Sequence, residues 1–412
     1  MRPALPSALL AGILLVTSFA VASEKPHVAL GIDVLEQQQF APLLRPDGRA
    51  ARIAIVTNAT GVDAHGNRSI DVLAKAPGLK LVAIFAPEHG IATKVDTTDI
   101  EEAKDQSTGI PVYTIYGKTD AERRPRLDLL RGLDAVVFDL QDAGARFYTY
   151  ETTLGYFLEA CAKAGVEMIV LDRPNPINGD SVQGPISTAP ASFTNYHPLP
   201  LRHGMTIGEL AQLFNGERKI GAKLRVVRMK DWKREDWFDD TGVPWVNPSP
   251  ALRSVNAEAL YPGVALLEQT NVSVGRGTDS PFEMVGAPWI DAQKFAAYMT
   301  ARKLAGIRFD STTFAPISST LAGKSCQGVK IMIVDRNPLD SPALGIELAA
   351  ALYKLYPKQF EIGRMKSLLA NDAELAKLQK GEDAKHIVAG WGKSLRVFGK
   401  LRQQYLLYPE LR

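Results

Sequence analysis

The chain has 412 residues, of which 46% are hydrophobic and 23% are charged, and its formal net charge is +3. This composition excludes a disordered chain and is typical of a globular protein that is long enough for two domains. The charges are spread without long basic runs, so the sequence does not indicate nucleic acid as a partner.

The amino terminus, "MRPALPSALLAGILLVTSFAVASEK", has one Arg followed by an apolar run that ends in Ala20, Val21 and Ala22. This pattern predicts a signal peptide over residues 1–22 with an A-x-A cleavage site. The run is too short and too poorly flanked for a stable membrane span. We therefore expect a secreted, periplasmic protein that begins near Ser23.

Only two cysteines are present, Cys161 and Cys326, and they lie far apart in the sequence. An oxidising compartment would permit a disulfide between them, and two buried free thiols fit the sequence at least as well.

Between residues 28 and 232, apolar runs alternate with amphipathic segments of helix length. The predicted strands are "ARIAIVTN" (51–58), "KLVAIFAPE" (80–88), "DAVVFDLQD" (134–142), "EMIVLDRPN" (167–175) and "KLRVVRMKD" (223–231). Continuous β-branched runs separated by helices indicate a parallel sheet that is covered on both faces. The sequence therefore predicts an α/β layered domain over residues 23–240.

Helix ends in this region are marked by capping residues. Ser69 is the predicted N-cap of a helix in "SIDVLAKAPG", Gly165 ends the helix in "TYETTLGYFLEACAKAG", and Thr206 precedes the helix in "TIGELAQLFNGE". Ser and Thr satisfy free N–H groups at helix starts, and Gly adopts the left-handed conformation at helix ends.

After Trp232 the periodic pattern disappears. The Pro-rich segment "WFDDTGVPWVNPSPALRS" (237–254) predicts a long ordered loop that crosses between domains. We place the domain boundary at residue 240 and predict a smaller α+β domain over residues 241–412. Its predicted elements are two strands, "GVALLEQTNV" (263–272) and "GVKIMIVD" (328–335), a helix in "ALGIELAAALYKLYP" (343–357) and a C-terminal amphipathic segment.

Polar residues follow four successive predicted strands. In open parallel sheets, ligands bind outside the carboxyl ends of the strands. A single polar residue after a strand means little, but four in succession predict a polar cleft at this edge. The residues are Thr57 and Asn58; Glu88 and His89; Asp139, Gln141 and Asp142 with Arg146 close behind; and Asp172, Arg173 and Asn175.

Several cofactor and nucleophile motifs are missing. The sequence has no G-x-G-x-x-G after the first strand, no P-loop, no G-x-S-x-G elbow and no H-E-x-x-H. The histidines are too scattered to indicate zinc. We therefore expect no metal and no organic cofactor, and a mechanism based on carboxylates.

The motifs together resemble one known family. They are "GIDVL", "TNATGVD", "PEHG", "VFDLQDAGARFYTY", "LDRPNPINGD", "HGMTIGELA", "YPGVALLEQTNVSVGRGTDSPFEMVGAPWI" and "YLLYP". In this order, across nearly the whole mature chain, they are similar to the exo-β-N-acetylmuramidase family typified by NamZ. The chain departs from the family pattern at Ala86, where Gly is common, and in the less Gly-rich segment "IATKVDTTDIEEAKDQSTG".

The resemblance implies a glycosidase that removes terminal N-acetylmuramic acid (MurNAc) from the non-reducing end of peptidoglycan fragments, such as MurNAc-GlcNAc. It implies a Rossmann-like domain, a smaller C-terminal domain and an active site in the cleft between them. It also implies that Glu88 of the P-E-H-G motif is catalytic, with His89 beside it.

Glycoside hydrolysis needs a proton donor and a second group on the opposite face of the sugar. We predict Glu88 as the general acid and His89 as its orienting partner, although His89 fits a structural loop histidine equally well. The candidates for the second carboxylate are Asp142, Asp172, Glu268 and Glu283, with Glu268 ranked above Asp142. The acetamido group of MurNAc could itself attack the anomeric carbon, and the sequence does not decide between these routes.

The lactyl carboxylate of MurNAc calls for a cation, and a planar guanidinium matches it with two hydrogen bonds. Arg146, Arg173 and Arg276 are the candidates. The other predicted substrate-binding residues are Asn58, Tyr148, Asp172, Asn175, His203, Asn271 and Glu283.

Two other functions fit the sequence. A periplasmic muropeptide- or sugar-binding protein would share secretion, two α/β lobes and a polar cleft, but its chain usually passes between similar lobes more than once. Here the chain is predicted to cross once, into a dissimilar domain. A cell-wall esterase or amidase is disfavoured because no nucleophilic Ser or Cys elbow is present.

Overall fold

The computed structural model describes residues 28–98 and 102–410. The predicted signal peptide lies outside these residues. Within them, no helix is both long enough and apolar enough to cross a lipid bilayer. Cys161 and Cys326 are buried free thiols.

Most strands belong to one sheet. They are β1 (Ala51–Thr57), β2 (Leu79–Ala86), β3 (Ala103–Lys104), β4 (Pro111–Thr114), β5 (Ala135–Asp139), β6 (Glu167–Leu171) and β7 (Leu224–Val227). They form a seven-stranded sheet in the order β3-β4-β2-β1-β5-β6-β7. All neighbours are parallel except β3 and β4.

The predicted strands correspond to β1, β2, β5, β6 and β7, and the predicted α/β class is confirmed. The sequence did not predict β3 and β4, which extend the sheet beyond β2. Both are short, and β4 begins at Pro111, a residue that lacks the N–H needed within a ladder and is confined to edges and strand starts.

The helices surround this sheet and build most of the second domain. They are α1 (Gly31–Gln37), α2 (Ser69–Lys75), α3 (Leu127–Leu130), α4 (Thr149–Ala164), α5 (Ile207–Glu217), α6 (Val255–Val264), α7 (Ala292–Ala301), α8 (Ser341–Leu355), α9 (Lys366–Leu369), α10 (Asp372–Gln379), α11 (Ala384–Ala389) and α12 (Gly392–Arg402). Single 3₁₀ turns occupy Ala41–Leu43, Phe238–Asp240, Ala265–Leu267 and Ile362–Met365.

Two of the three predicted helix ends are confirmed. Thr206 caps α5 in a reciprocal capping box with Glu209. Gly165 ends α4 with a left-handed φ of 70°. The prediction for Ser69 was wrong, because Ser69 is the first residue of α2 and its hydroxyl donates to the carboxylate of Asp139 instead of capping the helix.

Side chains of the sheet alternate between two apolar cores, one on each face. Ala54, Val56 and Phe138 lie in the core that includes α4 and α5. Ile53 and Ile55 lie in the core that includes α1 and α2. Because both faces are covered, the central strands are continuously apolar, and only their ends are free to carry polar groups.

The second domain contains a small antiparallel sheet. Its strands are β8 (Met284–Ala287), β9 (Ile307–Phe314) and β10 (Cys326–Ile333), in the order β8-β10-β9. The run "GVKIMIVD" was predicted as a strand and is confirmed as β10. The smaller mixed α and β domain is confirmed as well.

The predicted strand "GVALLEQTNV" (263–272) was wrong. This run lies at the end of α6 and in the 3₁₀ turn Ala265–Leu267. Its apolar part, residues 263–267, is fully buried and shows no helical periodicity, and such a run cannot be told from a buried strand by pattern. At Gly263 a Cβ atom would lie 1.8 Å from the carbonyl oxygen of Ser341, so glycine lets α6 approach α8.

The two domains are connected more than once. Residues 241–254 cross between them without helix or strand, as predicted for this loop. The chain then returns at its C-terminal end, where the Tyr408 hydroxyl donates to Asp172 at 2.7 Å and Arg402 donates to the carbonyls of Gly179 and Gly204. The prediction of a single crossing was therefore wrong. The boundary at residue 240 stays a prediction.

Candidate active site

A cavity of about 300 Å³ lies where the carboxyl ends of β2 and β4 meet the second domain. Both domains contribute to its lining. The residues that line it are Glu88, His89, Asp96, Tyr116, Phe147, Tyr148, Thr149, Thr194, Ser249, Ala251, Leu252, Tyr261, Glu268, Gln269, Arg276, Phe282 and Leu368.

Glu88 follows the end of β2 by two residues and is half-buried in this cavity. The hydroxyl of Thr149, the first residue of α4, donates to Glu88 Oε2 at 2.6 Å. Tyr116, just after β4, lines the same cavity. Burial, followed by the negative charge of Glu88, raises the pKa of Tyr116. The start of α4 thus holds this carboxylate at the end of β2.

The turn after Glu88 has a left-handed backbone. His89 has a φ of 70° and Gly90 has a φ of 69°. The left-handed region is readily adopted by glycine and is uncommon for other residues, among which histidine adopts it more often than most. Such conformations cluster at functional sites, where the surrounding structure over-determines them.

The ring of His89 is held by two acceptors. Its Nδ1 lies 2.9 Å from the carbonyl oxygen of Val95 and 3.2 Å from Oδ1 of Asp96. Because both partners accept hydrogen bonds, Nδ1 carries a proton. Burial opposes the charged ring, but the hydrogen bond with Asp96 and the charge of Glu88 outweigh it and raise the pKa of His89.

Arg276 joins the two sides of the cavity. Its guanidinium contacts Asp96 Oδ2 at 2.6 Å and also pairs with the carboxylate of Glu268. The pKa of Arg276 is raised, because these two carboxylates outweigh the effect of burial. The His89 ring lowers the pKa of Asp96 to about 2, together with the charge of Arg276 and against the effect of burial. A continuous chain of hydrogen-bonded and ion-paired groups therefore runs from His89 through Asp96 and Arg276 to Glu268.

Aromatic rings form one wall of the cavity. The ring centroid of Tyr261 lies 5.2 Å from that of Phe147, 6.0 Å from that of Tyr148 and 4.9 Å from that of Phe282, all edge to face. The Tyr148 hydroxyl donates to the carbonyl of Pro248 at 3.0 Å, which ties the wall to the crossing loop. A buried aromatic wall beside several carboxylates suits a ligand with apolar and hydroxyl-bearing faces.

The structure brings some of the predicted site residues together in this cavity. They are Glu88, His89, Tyr148, Glu268 and Arg276. The remaining predicted residues are not among the described lining residues, and they lie in other surroundings.

Arg173 and Asp172, which follow β6, are buried in structural networks. Arg173 Nε donates to Asp139 Oδ1 at 2.6 Å, and both side chains are almost fully buried. Asp172 accepts hydrogen bonds from the hydroxyls of Thr206 and Tyr408 and from the N–H of Gly208. Burial nevertheless raises the pKa of Asp172 to about 7. These residues hold the sheet edge to its surroundings.

Two buried amides support neighbouring segments. Asn58 Nδ2 donates to the Tyr150 hydroxyl at 2.7 Å, and that hydroxyl donates to the carbonyl of Pro248 at 2.8 Å. Asn175 donates to the carbonyl of Met205 at 2.9 Å. Neither side chain has an atom in the cavity lining described above.

Asp142 and His203 form a buried pair, with His203 Nε2 lying 3.5 Å from Asp142 Oδ2. Arg146 is fully buried and donates to the carbonyls of Leu368 and Leu369, so it fastens the first domain to the second. Burial lowers the pKa of Arg146 to about 10. Arg146 is thus committed to backbone carbonyls.

Asn271 and Glu283 lie in the second domain. Asn271 bridges to the chain near α9, donating to the carbonyl of Gln359 and accepting from the N–H of Glu361. The Glu283 carbonyl accepts from Ile331 in β10, and its side chain is half-buried outside the described cavity lining.

Three contributors were missed by the sequence reasoning: Thr149, Tyr116 and Asp96. Thr149 stands in the quoted motif "VFDLQDAGARFYTY", at the start of a predicted helix, and that position was a usable signal. Tyr116 follows β4, which was not predicted. Asp96 lies in a loop without any pattern, and only the fold brings it to Arg276.

Within residues 28–98 and 102–410, one group of carboxylates has a spacing that could hold a metal ion: Asp33, Glu36 and Asp63. Asp33 and Asp63 already accept hydrogen bonds from nearby backbone N–H groups. Among the described lining residues of the cavity, none belongs to this group.

Two family profiles match the chain along its length. The profile of the exo-β-N-acetylmuramidase NamZ N-terminal domain matches residues 53–256, and that of the NamZ C-terminal domain matches residues 259–408. The chain belongs to the NamZ family. The resemblance seen in the sequence motifs is thereby confirmed.

A curated NamZ family relative is the peptidoglycan β-N-acetylmuramidase NamZ of Bacillus subtilis strain 168. It is 40% identical over 391 residues, which cover 94% of this chain and 92% of that protein. Two crystal structures of DUF1343 family proteins from Bacteroides fragilis are also similar. One is 33% identical with a TM-score of 0.84, and the other is 29% identical with a TM-score of 0.70. Each alignment covers 93% of this chain and 99% of the other chain.

Proposed function

We propose that this protein is an exo-acting glycoside hydrolase that releases terminal MurNAc from the non-reducing end of peptidoglycan fragments such as MurNAc-GlcNAc, in cell-wall turnover. Membership of the NamZ family and the identity to a peptidoglycan β-N-acetylmuramidase support this activity. The structural observation that carries it is the Glu88 carboxylate, which accepts a hydrogen bond from Thr149 and lies beside Tyr116 within a cavity lined by both domains.

In this proposal Glu88 transfers the proton. Its protonated carboxyl donates to the glycosidic oxygen as the bond between that oxygen and the anomeric carbon breaks. A water molecule supplies the hydroxyl that ends on the anomeric carbon, and its other proton restores the carboxyl group. The products are free MurNAc and the shortened saccharide.

Glu268 is the proposed second carboxylate. It lies in the same cavity, on the segment after α6, and Arg276 holds its side chain. The positive charge that develops on the sugar in an oxocarbenium-like state is stabilised by a nearby carboxylate. Asp142, the other candidate, is buried with His203 and is therefore the weaker choice.

Arg276 is the proposed partner of the lactyl carboxylate. It is the arginine that lines the described cavity, whereas Arg146 is bonded to carbonyls and Arg173 to Asp139. Asp96, whose side chain is 44% exposed, can turn toward solvent and leave one edge of the guanidinium to the ligand. Replacing Arg276 with Met should reduce kcat/KM for a MurNAc glycoside about tenfold or more.

The activity is tested with a chromogenic β-MurNAc glycoside and the matching β-GlcNAc glycoside. We expect release from the MurNAc compound alone, and a loss of at least a hundredfold in Glu88→Gln. Glu159→Gln is the matched control, since Glu159 is a half-buried glutamate on α4 outside the described cavity. It should retain activity.

Two outcomes would overturn the proposal. Equal release from both glycosides would show that the enzyme does not recognise the lactyl group. No release from either, with a folded protein whose Tm rises with MurNAc, would instead establish a binding protein.

We further infer that residues 1–22 are a signal peptide and that the mature protein acts in the periplasm. The support is the apolar run followed by Ala20-Val21-Ala22. Expression of the full chain should yield a periplasmic form that begins at Ser23, as read by mass spectrometry. Ala22→Lys should block processing, and an unprocessed cytoplasmic wild type would contradict the inference.

A further inference from the structure

A second pocket of about 450 Å³ adjoins the cavity, and the two share Asp96, Ala251 and Arg276. We propose that this second pocket binds the sugar on the leaving side of the scissile bond. The proposal rests on the function proposed above, which requires a place for the departing saccharide.

The position of the pocket fits a leaving group. The glycosidic oxygen must lie at Glu88 to receive its proton, and the next sugar begins one bond beyond that oxygen. From Glu88 the lining continues through His89 and Asp96 to Arg276, and the last two residues also line the second pocket. A saccharide bound at Glu88 therefore has a continuous path into it.

The outer rim of the pocket is a hairpin that is fixed to the active-site turn. Residues 315–325 connect β9 to β10, and the Ile317 N–H donates to the carbonyl of Gly277 at 2.9 Å. Gly277 has a φ of 81°, and a Cβ atom there would lie 2.4 Å from the carbonyl oxygen of Ser318. Because Gly277 is next to Arg276, the rim and the active-site arginine are held by one turn.

Ile317 is an unusual residue for this position, because its side chain is 89% exposed. A large aliphatic side chain is exposed here although the backbone of the hairpin is fixed, so it is available to a ligand. Together with Pro250 and Pro281 it gives the pocket an apolar rim. Such a rim suits the carbon face of a sugar ring or the methyl of an acetamido group.

The polar groups of the pocket match sugar hydroxyls. Arg253 donates through Nε to the carbonyl of Pro250 at 2.7 Å, and this bond uses only one of the five N–H groups of the guanidinium. Asp279 is exposed at the same pocket. A guanidinium donor and a carboxylate acceptor that line one pocket can bond the hydroxyls of one sugar, which both donate and accept.

The test compares two substrates that differ only in what fills this pocket. An aryl β-MurNAc glycoside places no sugar there, whereas MurNAc-GlcNAc does. In Arg253→Ala and in Ile317→Ser, the ratio of kcat/KM for the disaccharide to that for the aryl glycoside should fall about five- to tenfold. Arg308→Ala and Val334→Ser are the controls, since both residues are exposed on the far end of the same hairpin, and they should leave the ratio unchanged.

Binding to the Glu88→Gln protein tests the pocket without turnover. By calorimetry, MurNAc-GlcNAc should bind more tightly than MurNAc, and Arg253→Ala should abolish that difference. If the wild type hydrolysed neither substrate, the proposed function would be overturned. The binding result would still support the assignment of the pocket.

An unchanged ratio and an unchanged difference in affinity would overturn the proposal. A loss confined to MurNAc-GlcNAc that carries a peptide on its lactyl group would also overturn it, and would assign the pocket to the peptide.

Discussion

Two groups of polar residues follow the strands of the same sheet and have opposite surroundings. After β2, Glu88 and His89 face a cavity. After β5 and β6, Asp139 and Arg173 are at most 3% exposed and bond to each other. Both groups obey the rule that polar side chains gather at the carboxyl ends of parallel strands, yet only the first is available to a ligand.

The difference lies in what covers each group. Asp139 accepts from Ser69 at the start of α2, and Arg173 also donates to the carbonyl of Val62. Asp172 is covered by α5 and by Tyr408 from the end of the chain. Over Glu88, in contrast, the second domain leaves space. Polar strand ends therefore serve either function or assembly, and the covering segment decides which.

The largest effect is expected from Arg173→Met. This change leaves the carboxylate of Asp139 buried without its partner, and breaking a buried pair in this way costs about 3–5 kcal/mol. Urea unfolding should show this loss of stability. Arg276→Met, in the cavity group, should lose less than about 1 kcal/mol because its carboxylate partners are partly exposed. Equal losses of unfolding free energy in the two variants would contradict the distinction between the buried pair and the cavity group.

The next effect is on catalysis. Glu268→Gln should lower kcat/KM for a β-MurNAc glycoside about a hundredfold, because it removes the second carboxylate of the cavity. The Tm should stay near that of the wild type, since Arg276 keeps its contact with Asp96. An activity within a few-fold of the wild type would exclude Glu268 from the chemistry, and Asp142→Asn would then be measured next.

A smaller effect is expected from the pH dependence of stability. Because burial raises the pKa of Asp172 to about 7, the folded protein keeps a proton that the unfolded chain loses from about pH 4. The folded state therefore loses stability as the pH rises from about 4 to 7. In urea unfolding, the free energy of unfolding of the wild type should fall relative to that of Asp172→Asn as the pH rises over this range. A difference that is constant with pH would contradict the raised pKa.

The smallest effect concerns His89. Asp96→Asn removes a hydrogen-bonding charge that raises the pKa of the ring, so this pKa should fall. NMR titration of the imidazole, assigned with His89→Gln, measures it directly. Asp239→Asn, an aspartate that pairs with Arg336 outside the described cavity, serves as the control. An unchanged pKa of His89 in Asp96→Asn would show that the contact with Asp96 does not hold in solution.

Much of the first domain could be predicted from sequence because its central strands are apolar on both faces. The runs that became β1, β2, β5, β6 and β7 are marked by composition alone. In the second domain, the same rule, that a continuous apolar run predicts a buried strand, failed for "GVALLEQTNV". The end of α6 and the turn that follows are buried, so their residues are apolar without helical periodicity. The short strands β3 and β4, of two and four residues, are too short to show any pattern.

The site could be predicted only in part. Glu88 and His89 follow a strand directly, so their location was readable from the chain. Glu268 and Arg276 were found through the family motif and the chemistry of the ligand. Tyr116 and Asp96 escaped detection because their roles come from contacts across the fold, with Glu88 in one case and with His89 and Arg276 in the other.

The sequence by itself determined the α/β class, the family and the strand that delivers Glu88, because these depend on local hydrophobic order and on contiguous motifs. Only the tertiary structure decided which of the polar strand ends meet a cavity. That choice depends on how Tyr408, the helix starts and the second domain cover the sheet edge, and these segments lie far apart in the chain. The free energy of burying a polar strand end depends on the partners that these segments bring to it. Because the partners come from distant parts of the chain, no local sequence pattern predicts which strand end will be buried.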